Sequence, residues 1–314
     1  MTTPLTLTET LTGWTFDIPA VVFVLLVGGL YLAGVRRFPE AWPRSRTTSF
    51  GIGLALILLV TCSFLGGYAD ILFWARAAQV ITLLMLAPLC LAMGSPVALA
   101  LGSLPERGQD RLRRAMAGRF ARVLTYPATA SLLLVALPWA LYFTPWYPAV
   151  LDNAALDQVT RLVLLLAGFT YFYSRLQLDP VPHHYPHLIS VMITFVEVIF
   201  DAALGLVLWL SPHLVAQGHY QALHRSWGPS LRTDQIIGAG VLWLVGDVAG
   251  LPFLGALMSR MAKDDAREAA EIDQRLDEEE LAAAADAPDS DEPAAPARLW
   301  WENDPQLAER FRRR

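Results

Sequence analysis

Charge is what this chain has least of. Only 17% of its 314 residues are Asp, Glu, Lys or Arg, against about a quarter in an ordinary soluble domain. Hydrophobic residues make up 54%, and the mean hydropathy is +0.40. A deficit of that size points away from a water-soluble globular fold and toward an integral membrane protein. Lysine is almost missing: Lys263 stands alone among the 24 basic residues. The two cysteines, Cys62 and Cys90, lie in apolar runs and are too few for a disulfide framework. The topology below separates them by about 14 residues, roughly 20 Å of helix, so they are expected to be small buried hydrophobes that share neither a bond nor a metal. No Lys or Arg precedes Arg36, so the positive n-region of a secretory leader is missing and no cleavable signal is expected. The sequence has no GxSxG, HExxH, P-loop or c-type haem attachment motif. Its six histidines fall in or beside connections, not within spans where they would hold a membrane haem. An enzyme is not expected, nor a nucleic-acid partner.

Long apolar runs are there instead. A bilayer core takes about 20 such residues per helix, and that ruler finds seven spans, near 18–35, 49–67, 71–93, 124–144, 156–175, 188–210 and 235–258. The third run should break at Gly94-Ser95-Pro96, and Pro88 and Pro138 should kink their helices. Basic residues crowd alternate connections. VRRFPEAWPRSR (35–46) has four arginines and ERGQDRLRRAMAGRFAR (106–122) has six; Arg175 precedes the sixth span, and Arg260 and Lys263 follow the seventh. The opposite connections, GGYAD (66–70) and TPWYPAVLDN (144–153), have none, and 211–234 has only Arg225 and Arg232. The positive-inside rule then sets the N-terminus outside and the C-terminus in the cytoplasm. The fold class is all-α, a seven-transmembrane helix bundle with a charged cytoplasmic tail.

The few charges inside spans are the candidate site. Asp157 and Arg161 stand i,i+4 near the start of the fifth span, acid first, and suit one another. The topology puts Arg76 and Gln79 at similar depth on the third span, Glu197 and Asp201 in the middle to outer half of the sixth, and Asp234 and Gln235 at the outer start of the seventh, with Asp247 nearer its centre. Each charge at a lipid-facing helix centre costs roughly 2.5–3.5 kcal/mol, so these groups are expected to turn inward and pair. Glu197 and Asp201 repel one another at i,i+4; Arg76 and Arg161 are the expected partners.

The chain divides into an extracytoplasmic segment (1–17), the membrane domain (18–260), a charged helical extension (261–287), a flexible linker (288–298) and a C-terminal segment (299–314) in which Trp300, Trp301 and three closing arginines suit a membrane interface or a partner.

Several stretches resemble the CtaG-type cytochrome c oxidase assembly family, seven-helix membrane proteins linked to copper insertion. The likeness runs over most of residues 60–260. LAPLCLAMGSPVALAL (86–101) is similar to the family's Pro-Gly-Pro segment ending the third span. LLAGFTYFYSRLQLDPVPHHYPH (165–187) is similar to its LAG…DPVP stretch, and RSWGPSLRTDQIIGAGVLWLVGD (225–247) to its WGPS…DQ stretch opening the last helix. The family carries histidines where this chain reads Asp157, Arg161 and Val163 on the fifth span, Asp201 on the sixth, and Arg76, Gln79 and Val80 on the third. Copper(I) favours thiolate, thioether and imidazole ligands, and a protonated arginine has no lone pair to give. The resemblance therefore implies the fold, a bacterial plasma-membrane location and oxidase subunits or a copper chaperone as partners, with an ionic contact where relatives hold metal ligands.

No cofactor is assigned. Copper stays open through His213, His219 and His224 in the connection SPHLVAQGHYQALH (211–224), since three loop histidines can coordinate a borderline metal. His183, His184 and His187 read as part of a rigid proline-rich turn. The expected function is a non-enzymatic membrane assembly factor for a respiratory oxidase. The alternatives are a copper transporter or donor working through the loop histidines, and a proton- or cation-coupled carrier using Glu197, Asp201 and Asp247.

Overall fold

The computed structural model describes residues 4–6, 8, 10, 13–176 and 187–286, and among them every regular element is a helix. The turn around His183 and His184, the linker 288–298 and the segment 299–314 lie outside the described residues. In chain order the helices are α1 (Ile18–Arg37), α2 (Arg44–Cys62), α3 (Phe64–Tyr68), α4 (Phe73–Ile81), a π-helical turn (Thr82–Leu86), α5 (Ala87–Met93), α6 (Pro96–Ser103), α7 (Glu106–Ala117), α8 (Arg119–Leu124), α9 (Pro127–Phe143), α10 (Trp146–Asp152), α11 (Ala154–Leu176), α12 (His187–Leu210), α13 (Gln217–Ala222) and α14 (Leu231–Asp286). Met1–Ser259 form one compact unit and Arg260–Arg314 a second, whose described part is helical with Ile272 and Leu276 exposed.

Among the described residues four helices are long and apolar enough to cross a membrane: α1, α2, the α4–α6 run and α11. A fifth span follows if α9 and α10, bent by 71° at Thr144-Pro145, are counted together. The runs expected as sixth and seventh spans fall on α12 and α14. The connections are more structured than the sequence suggested. α7 and α8 occupy the arginine-rich stretch 106–122, and α10 buries Tyr147 within 144–153.

The α4–α5 run is the centre of the bundle, with α2 and α11 packed against it. Its course follows from one residue. Pro88 has no N–H to give the Leu84 carbonyl, and the backbone widens just before it, the Ala87 N–H reaching back to Thr82 O. α11 uses this irregularity. A Cβ on Gly168 would lie 1.9 Å from Leu84 O and 2.7 Å from Pro88 Cγ, so only glycine lets the two backbones come this close. The break expected at 94–96 is present: α5 ends at Met93, and Ser95 turns left-handed (φ 49°) ahead of Pro96. Beneath it, Tyr31 stacks on Phe50 at 3.9 Å, donates to Gly94 O (2.9 Å) and accepts from Trp42 Nε1 (3.0 Å). Pro138 is accommodated inside α9.

Candidate functional site

At the end of the bundle where α1, α4 and α11 begin, four charged side chains alternate in sign. Arg76 on α4 donates to Gln79 Oε1 (2.7 Å) and to Asp157 Oδ1 (2.6 Å). The other carboxylate oxygen of Asp157 meets Arg161 Nη2 at 2.5 Å, one turn along α11. Arg161 Nη1 then donates to Asp17 Oδ2 at 2.6 Å, and Gln158 Nε2 reaches the same oxygen at 3.0 Å. Arg76 is only 2% exposed, Gln79 1% and Asp157 8%. Two guanidinium groups face two carboxylates, so the tetrad is neutral, as burial of charge demands.

Local structure supplies each member. Asp17 is the N-cap of α1, its Oδ1 accepting the Ala20 N–H at 3.0 Å just ahead of the helix that Pro19 opens. Gln79 Nε2 donates to Val60 O (2.8 Å), one of the last carbonyls of α2, which have no partner within their own helix. The clasp thus ties α1, α2, α4 and α11. The space among Arg76, Gln79, Leu141, Asp157, Thr160 and Leu164 is a cavity of about 10 Å³, room for no more than one water.

The expected single network is three separate clusters among the described residues. Glu197 does not meet Arg76 or Arg161. Its Oε2 accepts the Tyr171 hydroxyl (2.7 Å), and its nearest cation is Arg175 (3.8 Å), whose guanidinium lies over the Tyr171 ring. The sequence reading put Arg175 in a connection. It belongs instead to the last turn of α11 and is 3% exposed, because α11 runs on to Leu176. Asp234 on α14 serves another helix: it accepts the Phe73 N–H (3.2 Å) and Trp74 N–H (3.0 Å) at the start of α4, with Arg225 Nη2 3.3 Å away. Gln235 binds the α12–α13 connection, accepting Val215 N–H (2.8 Å) and donating to Leu208 O (3.0 Å) and His213 O (3.2 Å). Asp201 is half-buried and Asp247 exposed on its helix. Asp17, Tyr171, Arg175 and Arg225 were not anticipated as site residues; for Asp17 the readable signal was an acid two positions before a proline at a helix start.

Between the clasp and Asp234 sits an aromatic group, Phe73 with Tyr142, Tyr147 and Tyr220, joined by a 2.8 Å hydroxyl contact between Tyr147 and Tyr220. Burial pushes the Tyr220 phenol well above its usual range, so it stays neutral.

The three loop histidines do not converge. His219 is committed on both ring nitrogens, Nδ1 3.4 Å from Asp152 and Nε2 3.0 Å from Asp70 O, while His213 and His224 are exposed. Among the described residues no three His, Cys, Asp or Glu side chains gather in a way that would hold a metal ion. The clasp does not fit copper either, since both Asp157 oxygens are engaged by guanidinium groups and arginine offers no lone pair.

Two relatives, uncharacterised proteins of Mycobacterium bovis and Mycobacterium tuberculosis, are each 29% identical over 286 residues, covering 87% of this chain and 43% of their own length. A Mycobacterium leprae protein, also uncharacterised, is 28% identical over 278 residues, covering 85% of this chain and 42% of its own. The chain thus spans less than half the length of the curated relatives it matches. No solved structure matches. The profile of the cytochrome c oxidase caa3 assembly factor family (Caa3_CtaG) matches residues 29–264, well over half of the chain, and the chain belongs to that family.

Proposed function

We propose that this chain is a non-enzymatic assembly factor for a respiratory cytochrome c oxidase, a seven-span protein of the bacterial plasma membrane with its N-terminus outside and its C-terminus in the cytoplasm. In this reading it acts by holding or presenting oxidase subunits, and ionic contacts of Arg76, Asp157 and Arg161 stand where the family resemblance sets metal ligands. The observation that carries it is the Arg76–Asp157–Arg161–Asp17 tetrad: four charges that satisfy one another and leave no donor for copper. The positive-inside alternation supports the orientation, and α12 and α14 supply helices for the sixth and seventh spans.

The test has three arms: oxidase assembly in a deletion strain, copper loading, and cation flux in reconstituted vesicles. Deleting the gene should lower the amount of assembled oxidase, and re-expressing the wild-type chain should restore it. In parallel, the protein is purified after copper loading and its metal measured, alongside a variant with His213, His219 and His224 all changed to Ala. Substoichiometric copper in both preparations agrees with the proposal. Stoichiometric copper that disappears in the triple variant establishes the donor reading instead, and pH-dependent cation flux in vesicles would establish the carrier reading.

A further inference from the structure

Two groups of arginines stand out among the described residues. The side chains of Arg76, Arg161, Arg175 and Arg225 are largely buried and meet carboxylates. Those at the opposite end, where α1 ends and α2 and α7 begin, form no ion pair among the described residues and are exposed, except Arg46, which is half-buried over the Trp42 ring (5.0 Å): Arg36 and Arg37 close α1, Arg44 and Arg46 open α2, and six more lie on α7 and α8. Beside this belt is a groove of about 350 Å³ between α1, α2 and α6, within the roughly 300–1,000 Å³ of ordinary ligand sites. Val27, Leu30, Leu99, Ala100 and Leu104 line it, and Arg37 stands at its rim. Its floor is firm, because α1 and α6 cross closely: a Cβ on Gly34 would lie 3.1 Å from Leu99 Cγ, and the Phe38 ring packs onto Gly102.

An apolar trough under an unpaired cationic rim is complementary to one kind of molecule, an amphiphile with an anionic head. We propose that this groove binds an anionic phospholipid, an acyl chain lying along Leu30, Leu99 and Leu104 and the phosphate meeting Arg37, with α7 and α8 resting on the surrounding headgroups. The second half of that statement has its own support. α7 buries no side chain, and α8 exposes Phe120 (80%) and Val123 (62%) beside Arg119 and Arg122, the pattern of a helix lying in the interface with its apolar residues down. Each arginine near an anionic surface contributes about 1 kcal/mol. The proposal rests on the bundle crossing a membrane and on nothing concerning oxidase or copper, so the two can fail separately.

The full-length protein, purified and delipidated in detergent, is titrated with phosphatidylglycerol or with phosphatidylcholine, reading lipid adducts by native mass spectrometry and the thermal midpoint alongside. Phosphatidylglycerol should bind more tightly than phosphatidylcholine and raise the midpoint. Arg37→Gln should weaken phosphatidylglycerol about fivefold, one surface arginine's share, without moving the lipid-free midpoint. Ala100→Phe, which fills the trough, should abolish the tight adduct; if that variant does not fold, Arg37→Gln decides alone. Equal binding of the two lipids, or unchanged phosphatidylglycerol affinity in the folded variants, overturns the proposal. So does a delipidated dimer that Ala100→Phe converts to monomer with lipid affinity unchanged, since a second copy would then be the occupant.

Discussion

Arg76 and Asp157, 81 positions apart in the chain, meet at 2.6 Å with hardly any surface of either exposed. Neither is tolerable in that environment alone. A buried charge deprived of its partner costs about 3–5 kcal/mol, whereas removing both partners together costs far less. Arg76→Ala should therefore lower stability by about 3–5 kcal/mol, measured as unfolding in detergent, and should leave Asp157 with Arg161 alone. The double variant Arg76→Ala, Asp157→Ala should be less damaged than the sum of the singles. Strict additivity would mean that the contact does not form.

Asp17 has two duties, and two substitutions separate them. Asparagine is as good an N-cap as aspartate, so Asp17→Asn keeps the bond to the Ala20 N–H and removes the contacts of the other oxygen, the ion pair with Arg161 and the bond from Gln158. Asp17→Ala removes both and should be worse by about 1 kcal/mol, the usual value of a cap. A double-mutant cycle between Asp17→Asn and Arg161→Gln should return a coupling of about 0.5–3 kcal/mol. A coupling of zero would show that the N-terminal segment is not held by the clasp.

Gly168 is the glycine of the LAG…DPVP stretch that resembles the family, and the structure supplies its physical reason. An alanine methyl there collides with Leu84 O, a backbone atom that cannot swing aside, at the point where Pro88 has already distorted the helix. Gly168→Ala should destabilise by about 3 kcal/mol or more, the upper end of overpacking penalties. Gly29→Ala on α1 meets nothing within 4 Å and should gain about 0.4–1 kcal/mol from the stiffer unfolded chain. The pair, compared by thermal unfolding in one detergent, separates close approach from helix propensity.

What was readable in the sequence, and what was not, divides along the range of the signal. Apolar runs are local and strong, so α1, α9, α11 and α12 begin and end within a few residues of the expected spans. The Asp157–Arg161 pair is also local, set by the helical repeat. Its partners are not: that Arg76 would be inward was legible from the energetics of charge in an apolar run, and depth alone then gave it four acids to choose from. Glu197 was assigned to the wrong arginines because Arg175 stands next to a proline- and histidine-rich stretch that reads as a connection, although α11 continues through it. Asp17 was passed over because it ends a segment counted as lying outside the bundle, and it also precedes the stretch that the family profile matches. α10 was hidden by Pro145 and Pro148, although Pro145 sits just before the helix and Pro148 in its first turn, positions where a missing N–H does no harm.

The last contact concerns the helix that carries Arg76 and Gln79. α4 opens at Phe73 with no cap from its own sequence, Leu72 having no acceptor to offer. Asp234, from 160 residues further along, takes the N–H groups of Phe73 and Trp74 with its two oxygens, where the helix dipole also favours negative charge. Arg225, its side chain only 4% exposed, is held against the same carboxylate. Asp234→Ala thus removes a cap worth about 0.5–2 kcal/mol and strands a buried guanidinium, for a combined loss of about 3–5 kcal/mol. Asp234→Asn keeps one acceptor for the amides and should fall between wild type and alanine. Hydrogen exchange gives the discriminating measurement: the amides of Phe73 and Trp74 should lose protection in Asp234→Ala ahead of the rest of α4. If they stay protected while global stability falls, Arg225 rather than the cap accounts for the role of Asp234.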